Sequence, residues 1–72
     1  MTFGERLVGL TFNPSNDDQV TRVKKLCAEL ADIVNSENLA QTTPMKRMLT
    51  KHAFGEILNA QMNVVKVLTL KY

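Results

Sequence analysis

Residues 17–37, DDQVTRVKKLCAELADIVNSE, decide how the rest of the chain is read. Val20, Val23, Cys27, Leu30 and Val34 recur at alternating spacings of 3 and 4. That spacing puts them on one side of an α-helix, as a seam for a second helix. Leu26 and Ile33 widen the stripe. The start of the segment carries capping signals. Ser15 with Asp18, and Asn16 with Gln19, both have capping-box form. Asp17 and Asp18 suit the positive end of the helix dipole. Asn35, Ser36 and Asn38 are expected to end the helix near residue 37.

Working outward, 38–43 is a polar connection, and Thr43-Pro44 then restarts a helix. Thr43 is a capping residue, and proline at the first helical position loses no hydrogen bond. The second helix spans 44–69, with Gly55 tolerated inside it. Its apolar residues form two stripes. Phe54, Leu58, Val65 and Leu68 make one, with Gln61 in their midst. Leu49, Ala53, Ile57, Ala60, Val64 and Val67 make the other. One partner helix cannot bury both. Upstream, 1–16 is an arm in which Gly4, Gly9 and Pro14 interrupt any long helix. Glu5 to Leu10 has room for one short turn or helix.

The expected fold is therefore all-α. It is a single domain over 1–72, an antiparallel two-helix hairpin with a short N-terminal arm, assembled as a homo-oligomer. Length supports the last point. A domain of about 60 residues buries only about 60% of its unfolded surface and is marginal alone. Cys27 is the one cysteine and His52 the one histidine, so neither an intrachain disulfide nor a metal site is expected to supply the missing stability. Association between copies remains.

Composition narrows the function classes. The chain is 44% hydrophobic and 22% charged, with a net charge of +2. That charge is too small to argue for DNA or RNA binding, and the basic residues are not gathered on one helix face. No apolar run approaches the ~20 residues that span a bilayer, and the N-terminal residues do not read as a signal peptide. A reducing, intracellular setting is expected. Asn13-Pro14-Ser15 is no glycosylation site, because proline occupies its middle position. Catalysis has little to stand on. His52 and Glu56 are four apart on one helical face, a spacing that serves a surface hydrogen bond as readily as proton transfer. Cys27 in the seam reads as a small buried hydrophobe. No enzymatic activity, catalytic residue, metal or cofactor is expected.

Binding residues are better represented. In an antiparallel hairpin the start of the first helix lies beside the end of the second. That brings Phe12, Asn13, Pro14 and Ser15 toward Met62 and Lys66, with Lys24 and Lys25 on the same half of the molecule. An aromatic ring, helix N-terminal N–H groups and cations suit a base and a phosphate. Other readings stand beside this one: Phe12 as a hydrophobic staple, Lys24 and Lys25 as a solvated face.

Short motifs add a resemblance. Gly4-Glu5-Arg6, Phe12-Asn13-Pro14-Ser15, Val20-Thr21-Arg22-Val23-Lys24 and Ala28-Glu29-Leu30-Ala31-Asp32 resemble one half of a phage protein family. Residues 60–69, AQMNVVKVLT, resemble the other half. The family is that of anti-CBASS sponges, whose helical-hairpin domain is shared with anti-Thoeris sponges. The resemblance implies helical hairpins assembled into hexamers. These bind cyclic dinucleotides (cGAMP-like), and in many members cyclic trinucleotides, without cleaving them. Sequestration would take place in the cytoplasm of the infected bacterial host and block its immunity. By resemblance Phe12 would stack on a base and Lys24 would contact phosphate. Asn13, Pro14 and Ser15 would shape the loop over the ligand. Lys66 would serve a trinucleotide-type site. Asn63 stands where many relatives have tryptophan. A different class of function is an oligomeric hairpin that binds another protein through its apolar C-terminal helix.

Overall fold

In the computed structural model, residues 1–13 and 17–70 are described. They contain three helices and no strand: α1 (Phe3–Val8), α2 (Asp18–Ala40) and α3 (Pro44–Thr69). α2 and α3 are the arms of the hairpin, joined by a short link, and α1 packs against α2. The whole is a slab of 46 × 24 × 13 Å.

Local signals explain most boundaries. Thr43 accepts a hydrogen bond from the Lys46 N–H at 3.1 Å, and Pro44 follows in the first turn of α3. α1 opens with a capping box in which Thr2 and Glu5 exchange bonds. It ends at Gly9, whose φ of 65° is the left-handed conformation that glycine adopts at least cost. Gly9 thus interrupts the helix as expected, whereas Gly4 lies inside it.

Two expected boundaries shift. The N-cap of α2 is Asp17, whose carboxylate accepts from the Gln19 N–H at 2.8 Å. The expected caps Ser15 and Asn16, with Pro14, lie outside the described residues. α2 also continues through Asn35, Ser36 and Asn38 to Ala40. Contacts with α3 hold this extra turn. Glu37 pairs with Lys46 at 2.7 Å, and Asn38 Oδ1 accepts from the Thr50 hydroxyl at 3.5 Å. Thr42 donates back to the Asn38 carbonyl. The propensity cost of asparagine and serine in a helix is at most about 0.7 kcal/mol per residue, small enough for a helix already running to pass through them.

The larger correction concerns which side of α2 faces inward. Val20, Lys24, Ala28 and Ala31 are the buried line. Leu30, placed in the seam by spacing, is 51% exposed, and Leu26 and Ile33 also face outward. Small residues explain the rotation. A Cβ on Gly4 would collide with the Ala28 carbonyl, so α1 lies directly on the α2 backbone there. Alanine at 28 permits that approach, whereas leucine would hold the helices apart.

The slab consequently has two unlike faces. α1 covers one side, with Phe3 against Phe54 at 5.1 Å between ring centroids. On the other side Ile33, Val34, Leu49 and Ala53 line an apolar groove between α2 and α3. Val64 and Val67 are also exposed on the Leu49 stripe of α3. Phe54 and Gln61 of one α3 stripe thus meet α1, while in the other stripe Ile57 is buried and Leu49, Val64 and Val67 are left exposed. Among the described residues the buried apolar ones are few: Val8, Val20, Ala28, Ala31 and Ile57.

Candidate functional site

The arm leaves α1 at Gly9 and turns tightly, with the Phe12 N–H donating to the Gly9 carbonyl at 2.9 Å. Two side chains of the first helical turns fasten this segment. Asn13 Nδ2 donates to the Asp17 carbonyl at 3.0 Å and to the Thr21 hydroxyl at 2.8 Å. Lys24 reaches across from α2, and its ammonium donates to the Gly9 carbonyl at 3.0 Å and to the Phe12 carbonyl. The aliphatic stem lies in the core, and the residue is only 7% exposed. A buried ammonium requires such partners, because desolvation without them is costly.

Phe12 then projects outward. The residue is 71% exposed, and the Lys24 ammonium lies 5.4 Å from the ring centroid. The ring therefore carries a cation–π contact and most of its surface remains open. It is not packed as a hydrophobic staple.

The other expected residues are placed differently. Lys24 and Lys25 are neighbours in sequence but lie about 100° apart around the helix. Lys25 is exposed and borders a cleft with Thr2, Glu5, Glu29 and Asp32. Met62 and Lys66 are exposed on the last turns of α3. It is Gln61, not Met62, that meets the arm, where its Nε2 donates to the Val8 carbonyl at 3.0 Å. Gln61 is the polar member of the otherwise apolar Phe54 stripe, and that irregularity was its sequence signal. Gln61 Oε1 is buried without a hydrogen-bond partner among the described residues. Pro14 and Ser15 lie outside the described residues. Asn63 is exposed and donates to the Asn59 carbonyl at 3.1 Å.

His52 and Glu56 are both exposed. Partial burial pushes the Cys27 thiol up from its usual value. No group of three or more His, Cys, Asp and Glu among the described residues has the geometry to hold a metal ion. No described helix is long and apolar enough to cross a membrane.

Comparison with known proteins adds no relative: no family model, curated protein or solved structure matches this chain. The site is therefore characterised by its own geometry. It consists of an exposed aromatic ring on a short loop, held to α2 by a buried lysine and an asparagine.

Proposed function

We propose that this protein binds cyclic dinucleotides, and cyclic trinucleotides, and sequesters them without cleavage. It would act as a phage counter-defence protein against CBASS-type immunity in the host cytoplasm. The observation that carries the reading is Phe12. A phenylalanine exposed over most of its surface, fixed in place and backed by a cation, is a platform for a flat, anionic ligand. A stacked base contributes about 1–3 kcal/mol. The motif resemblance supplies the ligand class. Lys25 and Lys66 are exposed cations available for phosphate.

Assembly belongs to the same proposal. Leu26, Leu30, Ile33, Leu49 and Val67 are each more than half exposed in the single chain. Burying them against further copies would complete the small core. A symmetric assembly, a hexamer by resemblance, would present each half of a near-symmetric ligand with the same ring.

Calorimetric titration with a panel of cyclic di- and trinucleotides, with the native mass measured in parallel, tests this reading. Binding by at least one member, and recovery of intact ligand after heat denaturation, is the expected result. No binding across the panel would overturn it, and a linearised product would make the protein an enzyme. The apolar groove favours a second reading, in which the hairpin docks another protein. That reading predicts no affinity for any cyclic nucleotide and a groove still open after assembly.

A further inference from the structure

We infer that Lys24 is a positioning residue: it latches the arm to α2 so that Phe12 is held with its ring open to solvent, and it does not itself grip phosphate. The inference rests on Phe12 being the base platform of the proposed function. The geometry supports it in three ways. First, the Lys24 ammonium is already engaged by the carbonyls of Gly9 and Phe12, which flank the turn carrying the ring. Second, its stem is buried, so reaching a ligand outside would pull a methylene chain from the core. Third, Asn13 ties the adjoining residue of the arm to the same helix through Asp17 and Thr21, so Phe12 is fastened to α2 on both its neighbouring sides of the turn.

The charge has a second effect. A cation beside the ring draws on its negative π-face. The exposed ring surface is then better suited to an electron-rich planar group, such as a purine, than an unpolarised phenylalanine would be. Lys24 would thus act on the ligand through Phe12. Exposed Lys25 and Lys66 remain as candidates for direct phosphate contact.

The test uses the intact chain with Lys24→Met, which keeps the apolar stem, and Lys24→Arg, which keeps the cation. Far-ultraviolet circular dichroism checks that both remain helical. Three quantities are read: hydrogen exchange at the Phe12 amide, the Lys24 ammonium ¹⁵N signal, and calorimetric affinity for cyclic di-AMP and cyclic di-GMP. In Lys24→Met, Phe12 exchange is expected to accelerate at least tenfold and affinity to fall at least tenfold. Lys24→Arg is expected to restore both in large part. In the wild type the ammonium signal should hold its position when nucleotide is added. Retained Phe12 protection in Lys24→Met would overturn the latch, and more so if affinity were lost, since that would mean direct phosphate contact. A Lys24 ammonium signal that shifts to the ligand would overturn it too. If the wild type binds neither nucleotide while Phe12 protection still depends on Lys24, the latch stands and the ligand reading fails for these probes.

Discussion

The backbone N–H of Gly4 donates to Oδ1 of Asp32 at 2.6 Å, and this bond fixes where α1 crosses α2. The crossing is close because Gly4 has no Cβ to meet the Ala28 backbone. Everything the arm carries depends on it. α1 sets the position of Gly9, Gly9 starts the turn, and the turn presents Phe12.

Gly4→Ala is therefore expected to lift α1 from α2. Forced overpacking costs about 1–3 kcal/mol. Asp32→Ala should cost about 1.5–3 kcal/mol through loss of a charged acceptor. Urea unfolding at fixed protein concentration measures both as lowered midpoints. A Gly4→Ala midpoint equal to that of the wild type would show that α1 is not held in this crossing.

Leu30→Glu is expected to break the proposed assembly while the chain stays helical. Leu30 is exposed on the side of α2 away from α1. A charge there costs little in the free chain but is unfavourable once buried between copies. Sedimentation equilibrium should report a lower mass than for the wild type. An unchanged mass would remove this face from the subunit contacts.

The Glu37 carboxyl is held below the usual glutamate range, first by its hydrogen bond from Lys46 and then by the charge of Lys46. The unfolded chain binds the proton more readily, so the pair stabilises the fold at pH above the ordinary glutamate value. That contribution fades as pH falls through the lowered value. Lys46→Met should move the NMR titration midpoint of Glu37 upward. Because Glu37 is fully exposed, the thermal midpoint should barely change. An unmoved titration midpoint would mean that the pair does not form in solution.

The Cys27 thiol, raised by burial, should be alkylated slowly by iodoacetamide at neutral pH. The rate should climb only above the ordinary thiol range, and unfolding in urea should restore normal reactivity. Cys27→Ala should leave the proposed nucleotide binding unchanged. Rapid modification of the folded protein at neutral pH would contradict the burial.

The helices themselves were legible in the sequence, because their signals are local. The Thr43-Pro44 pair and the apolar periodicity marked α3 from 44 to 69, and the structure has it from Pro44 to Thr69. Phe12 was recognisable as the candidate ring. Its exposure was not, since a phenylalanine before a helix serves as staple or platform with the same spelling. The burial of Lys24 was hidden for a related reason. Charge alone suggests solvent or phosphate, and only the folded arm brings the Gly9 and Phe12 carbonyls within reach of the ammonium.

By itself, then, the sequence determined an all-helical hairpin and marked Phe12 as a candidate ring. Periodicity and capping act over a few residues and do not need the rest of the chain. Tertiary structure decided which side of α2 is inside. The expected seam and the observed one share Val20 and then diverge, the first through Val23, Cys27, Leu30 and Val34 and the second through Lys24, Ala28 and Ala31. The second prevailed because Ala28, small and opposite Gly4, allows the backbones to approach closely. The leucines were left outward, on the face expected to meet further copies.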